Sequence, residues 1–166
     1  VATVSNKQSV SATIGFTYQK AITGFKSLTV SDSVPFRLIP SDTFNHAYVS
    51  TISLAAAATS TIDLYSFTTV AGESVTITKL QALIFHATGA VTGGQLTIEP
   101  GASNPLAWIM AGTTPSITLD VGTTPGACFL MANGTTVTVS TTSRNIKLSN
   151  PGSQTITVYA AAIVGT

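Results

Sequence analysis

Residues 75–80 read Val75-Thr76-Ile77-Thr78-Lys79-Leu80, and strict alternation puts Val75, Ile77 and Lys79 on one face of an extended strand, with Thr76, Thr78 and Leu80 on the other. The run leads into Leu83-Ile84-Phe85. β-Branched Val, Ile and Thr suit a pleated, half-buried surface, so a strand is expected here. The same period recurs downstream, in Leu96/Ile98, Ile117/Leu119/Val121, Cys128/Leu130 against Phe129/Met131, Val137/Val139, Ile146/Leu148 and Ile156/Val158/Ala160. Ala71-Gly72-Glu73, Glu99-Pro100-Gly101, Thr124-Pro125-Gly126, Asn133-Gly134 and Asn150-Pro151-Gly152 punctuate these runs with turn residues. Many short strands separated by turns predict an all-β fold, an antiparallel β-sandwich of jelly-roll-like kind with an N-terminal arm or extra strands. Leu54–Ala58 (LAAAA) has helical propensity but is too short for a stable helix.

The first sixty residues are patterned more loosely. Ser11–Tyr18 alternates, with Ala12, Ile14, Phe16 and Tyr18 on one side, and Leu28/Val30 and Tyr48–Leu54 offer further short strands. Pro35 and Pro40 bracket Phe36–Ile39 and restrict that piece to an edge strand or an extended loop. The expected organisation is an arm or extension with short strands over residues 1–59 and a sandwich domain over residues 60–166. Phe16, Phe25 and Phe36 of the extension would then need neighbouring subunits to bury them.

Composition narrows the range of functions. Charged residues are 8% of the 166 and apolar residues 44%, against about 25% charged in an ordinary soluble domain. Hydroxyl residues keep such a chain in solution, and extensive contact with other proteins is expected. The formal net charge of +1 produces no field able to gather nucleic acid or an anionic membrane. The longest apolar tract, Tyr159–Val164, is far shorter than the roughly 20 residues that span a bilayer, and Val1–Val10 has no apolar core of a signal peptide. Charge is nevertheless uneven. Lys7, Lys20, Lys26 and Arg37 against Asp32 give residues 1–40 a net +3, whereas residues 41–166 sum to −2. A basic arm lying on an acidic protein surface is one reading of that split, and a set of separately solvated lysines is the other.

Catalytic and metal-binding patterns are missing, so no catalytic, cofactor-binding or metal residue is assigned and no cofactor is expected. His46 and His86 sit in no zinc spacing. His86 reads as a strand-end histidine, its alternative being a general base for one of many serines. Asp32, Asp42, Asp63, Glu73, Glu99 and Asp120 are dispersed, and nothing in the sequence selects two of them as a glycosidase pair. Gly93-Gly94 lacks the phosphate-loop pattern and reads as a structural turn. Cys128, the single cysteine, reads as a small buried hydrophobe. Asn133-Gly134-Thr135 matches a glycosylation acceptor, but Asn133-Gly134 is better read as a two-residue hairpin turn. Trp108, in Leu106–Met110, reads as a core or interface residue, with a sugar-stacking platform as the alternative.

Residues 61–166 resemble small virion proteins of tailed bacteriophages. The likeness rests on Thr61-Ile62-Asp63-Leu64, Val75–Leu80, Pro125-Gly126-Ala127-Cys128-Phe129-Leu130, Asn145-Ile146-Lys147-Leu148-Ser149-Asn150 and Thr155–Thr166. Ala127-Cys128 departs from it, standing where a second glycine is common. The resemblance implies a sandwich that assembles, as a homotrimer, on the exterior of a capsid as a decoration or cement protein, or on a fibre or tail. The function expected is therefore a non-enzymatic structural protein of the virion. Its partners would be other copies of itself and the major capsid or another virion protein, with no nucleic acid and no membrane. A carbohydrate-binding jelly-roll module of a phage fibre, tail or surface protein, and the shell-forming capsid protein of a small virus, are the alternatives.

Overall fold

The computed structural model describes residues 10–20, 28–38, 46–68, 74–106, 115–123 and 126–166. These residues form an all-β structure without a helix, in which twelve strands occur: β1 (Val10–Lys20), β2 (Leu28–Leu38), β3 (His46–Leu54), β4 (Thr59–Asp63), β5 (Ser66–Thr68), β6 (Ser74–Thr76), β7 (Lys79–Gly89), β8 (Gly94–Pro100), β9 (Ile117–Val121), β10 (Ala127–Thr138), β11 (Asn145–Ser149) and β12 (Ile156–Gly165). Two four-stranded sheets build a β-sandwich, with strand order β10-β7-β12-β3 in sheet I and β4-β11-β8-β9 in sheet II; β1-β2 and β5-β6 are separate two-stranded ribbons.

Every ladder is antiparallel, and four of them are nested along the chain: β8 with β9, β7 with β10, β4 with β11 and β3 with β12. The sandwich is thus one long hairpin folded over on itself. Its core lies between the sheets, where Leu83, Phe85 and Ala87 of β7 and Val158 and Ala160 of β12 share a cluster with Leu96 and Ile98 of β8, Ile146 and Leu148 of β11 and Ile62 of β4. Alternation along each strand supplies these residues, as the period-two reading requires. Burying each large apolar side chain contributes about 1.5–3 kcal/mol.

Three sequence expectations are corrected by the register. Val75–Leu80 is not one continuous strand, because β6 ends at Thr76 and β7 begins at Lys79. The chain leaves the β5-β6 ribbon there, with the Ile77 amide donating to the Tyr65 carbonyl (2.7 Å) and the Thr78 amide to the Gly165 carbonyl (2.9 Å); Ile77 and Leu80, expected on opposite faces, are both in the core. Asn133-Gly134 does not turn a hairpin. It lies inside β10, where Ala132 opposes Ala82 and Val137 opposes Leu80. Residues 133–136 form an irregular excursion opposite Gln81, and the strand continues because Val137 and Val139 belong to the core. As the edge strand of sheet I, β10 can absorb such a bulge. Finally, β3 falls before residue 60 yet pairs with β12 from His46 to Leu54, so the sandwich starts at His46. Cross-strand packing, which the looser pattern of the early sequence does not display, recruits it.

Asn150 ties the turns together. Its side chain is fully buried. Nδ2 shares its protons among the carbonyls of Leu54 (3.0 Å), Ala55 (3.1 Å) and Gln154 (2.7 Å), while Oδ1 accepts from the amides of Gly152 (3.1 Å) and Gln95 (3.2 Å). The β3–β4 turn, the start of β8 and the β11–β12 turn therefore meet on one amide. Gly152 is needed beside it, since a Cβ there would collide with the Gly93 carbonyl. In the β3–β4 turn Ala57 has φ 59°, a left-handed conformation that costs an L-residue about 1–2 kcal/mol; its amide is held by the Asn150 carbonyl at 2.8 Å.

Two stability predictions follow from this junction. Asn150→Ala strands five buried or half-buried backbone groups, and at about 1–3 kcal/mol for a buried group left unsatisfied the loss in urea unfolding is expected to reach at least ~3 kcal/mol. A loss below ~1 kcal/mol would mean that the amide does not hold the turns. Ala57→Gly is expected to act in the opposite sense, raising stability by up to ~1 kcal/mol because glycine relieves the positive φ.

Candidate interaction surface

Residues that alternate with the core on sheet I form its outer face. Across the four strands the register aligns Val49, Ala161, Ile84 and Leu130 in one row, and Thr51, Tyr159, His86 and Cys128 in the next. Neighbouring side chains on one face of a ladder lie close enough to form a continuous surface. The first row is apolar throughout, and neither row contains Lys, Arg, Asp or Glu. Val49 is 61% exposed and Tyr159 48% exposed, large values for apolar groups on a sheet. The His86 ring stacks on Tyr159 with centroids 6.0 Å apart and planes at 23°.

The outer face of sheet II has the opposite chemistry. Lys147 Nζ lies 2.9 Å from Glu99 Oε1, and Ser149 Oγ donates to the same carboxylate oxygen at 3.3 Å. Gln95 Nε2 donates to Asp120 Oδ1 at 2.9 Å, and the Thr97 and Thr118 hydroxyls are 2.8 Å apart. Thr59 and Thr61 complete a hydroxylated, exposed surface. At the end of β4, Arg144 Nε is 3.4 Å from Asp63 Oδ2 and its guanidinium sits 5.7 Å from the Tyr65 ring centroid. That ion pair is loose, because Nε is buried without an aligned hydrogen bond, and a partly exposed pair of this kind contributes under ~1 kcal/mol. The outer face of sheet II is thus polar and charged, whereas the central rows of sheet I carry no charge.

The residues singled out from sequence do not converge on a chemical centre. His86 lies within β7 rather than at its end, and His46 opens β3 opposite Val164. Among the described residues no group of three or more His, Cys, Asp or Glu side chains could hold a metal ion, and no helix is long and apolar enough to cross a membrane. Gly93, with φ 102°, makes a tight turn whose carbonyl accepts from the Ser153 amide at 2.9 Å. Cys128 is exposed, which corrects its reading as a buried residue: Phe129 and Met131 take the core-facing phase of β10, so Cys128 must point outward. Trp108 and Phe25 lie outside the described residues. The apolar character of the Tyr159–Val164 tract hides that Tyr159 is exposed, although the phase of Ile156, Val158 and Ala160 places it on the outer face.

No family model matches the chain, and no curated protein matches it. Among solved structures it is similar to a chain from the "Structure of infectious bursal disease virus Gx strain", at 14% sequence identity and a TM-score of 0.26. The match covers 100% of this chain and 54% of the other, so the chain spans about half the length of that protein.

Exposure of the face can be measured in the folded, dissociated chain. Cys128 is expected to react stoichiometrically with a thiol reagent without denaturant, and Val49→Lys to change unfolding free energy by less than ~0.5 kcal/mol, as surface substitutions do. A thiol that reacts only on unfolding would remove Cys128 from the surface.

Proposed function

We propose that this chain is a non-enzymatic structural protein of a tailed-phage virion, a decoration or cement protein that sits on the capsid exterior and stabilises the head. The observation that carries the reading is the outer face of sheet I, an uncharged surface with Val49 and Tyr159 exposed. Contiguous apolar surface on a soluble domain marks a contact site, and depletion of charge with aromatic enrichment is what the centre of an interface requires. The nested ladders favour a jelly roll, an architecture used by capsid and lectin domains. With hydroxyl residues in place of catalytic ones, the chain works by contact: with other copies as a homotrimer, and with the major capsid protein, without nucleic acid or membrane.

Sedimentation of the full chain tests this directly. At micromolar concentration it should run as a trimer, and Val49→Lys should raise the dissociation constant at least ~10-fold, the effect of about 1.4 kcal/mol. Added to heads lacking it, the wild-type chain should raise their thermal stability. A monomer that neither self-associates nor binds heads overturns the proposal, and closed particles formed by the chain alone would favour a shell-forming role instead. The exposed Tyr159 ring also suits sugar stacking, so tyrosine fluorescence that changes on adding glycans would favour a carbohydrate-binding module.

A further inference from the structure

We infer that two copies of this chain join edge to edge through β3, antiparallel, so that their two copies of sheet I become one continuous sheet. The four edges of the sandwich, β10 and β3 in sheet I and β4 and β9 in sheet II, are not alike. An unpaired edge is a template for another strand, and proteins that stay apart guard theirs with shortness, charge, proline or a bulge. β4 and β9 are five residues each and carry Asp63 and Asp120. β10 is interrupted between Ala132 and Val137. β3 has none of these devices. It runs for nine residues without Lys, Arg, Asp, Glu or Pro, and it pairs with β12 from His46 to Leu54 with no shift of register. Among the described residues no strand pairs with its other side. Tyr48–Leu54 combines Tyr, Val, Thr and Ile with no charge, proline or glycine, the composition of a segment that adds readily to a like strand.

The burial pattern of β3 selects a second copy as the added strand. Leu54 is buried and Tyr48 and Ile52 are half-buried against the margin of the core, whereas Val49, Thr51 and Ser53 are exposed. Antiparallel pairing of β3 with itself about Ser50 is the one register that engages all nine residues. It sets Tyr48 opposite Ile52 of the second copy, Val49 opposite Thr51 and His46 opposite Leu54. Every position meets one of the same parity, so inward residues meet inward residues and the two cores run together. An aromatic facing a β-branched residue is a favourable cross-strand pair, and the two-fold axis makes Tyr48–Ile52 twice. A foreign strand with charges in the inward phase would bury them unpaired; β3 brings none. The contact is independent of the decoration reading. Being two-fold, it links chains in pairs and leaves a threefold contact elsewhere free. One strand of nine residues is small beside the ~1,200–2,000 Å² of standard stable interfaces, so the pairing fills where chains are crowded together.

Disulfide trapping in the full, concentrated chain reads the register. In a Cys128→Ser background, one chain carrying Val49→Cys is mixed with another carrying Thr51→Cys and oxidised. Both positions are exposed, so neither substitution disturbs the core. Directly opposite residues of an antiparallel pair have Cα atoms ~4.5–5.5 Å apart, within disulfide reach, whereas the diagonal 49–49 and 51–51 positions lie ~7–8 Å apart. The mixed 49–51 disulfide is therefore expected at least ~10-fold above either homodimer, because only its Cα separation suits the bond. Equal yields from all three combinations overturn the inference, as does the absence of any interchain bond. A chain that stabilises heads yet gives no 49–51 disulfide would sink the edge contact alone. One that gives the disulfide and leaves heads unchanged would sink the decoration reading alone.

Discussion

The carboxamide of Asn150 is the constraint on which the sandwich depends. A long hairpin wrapped into two sheets must change sheets repeatedly, and each crossing leaves backbone donors and acceptors outside any ladder. Buried groups of that kind must be satisfied. Asn150 does this for the β3–β4 turn, the start of β8 and the β11–β12 turn together. Asn145, at the other end of β11, does the same for the loop after β8: its amide donates to the Asn104 carbonyl (3.0 Å), its Nδ2 to the Ser103 carbonyl (2.8 Å), and its carbonyl accepts from Gly101 and Leu106 (2.9 Å each). β11 is therefore pinned at both ends, and it lies between β4 and β8. The left-handed Ala57 and the close approach of Gly152 to Gly93 are tolerated because this network over-determines the turns.

The two outer faces explain how a chain with 8% charged residues is arranged. Apart from Lys79, which opens β7 of sheet I, the charges in the described sandwich gather on sheet II, where Lys147–Glu99 forms an ion pair and Gln95 and the hydroxyls fill the rest. Sheet I has none at its central rows. A charged face would resist burial because desolvating an ion is costly, while a face of Val, Ala, Ile, Leu and Tyr gains from it. The composition, which at first describes the whole chain, is thus distributed unevenly, with the charges of the sandwich on one side and an uncharged, largely apolar surface on the other.

Much of this fold was legible in the sequence. Alternation located the core members of β8, β11 and β12, since a strand buried on one face cannot slip by one residue without turning every apolar group to water. The uncharged outer face was legible in part: outward phase follows from inward phase, which is enough to expose Tyr159 and Cys128, but an apolar tract such as Tyr159–Val164 conceals it when read for hydrophobicity alone. Asn133-Gly134 misled because a turn dipeptide states what the backbone tolerates and does not state that the chain must reverse there.

Local pattern thus sufficed for the all-β class, the inward-facing residues and the poverty of charged chemistry, because period-two burial and residue type are properties of short segments. Tertiary structure alone settled that β3 joins the sheet, that β10 runs through its Asn-Gly, and that Val49 and Tyr159 meet on one uncharged surface. Each of these depends on which strands become neighbours. That choice is made by long-range register and by buried amides such as Asn150, whose partners Leu54 and Gln95 lie 96 and 55 residues away in the chain.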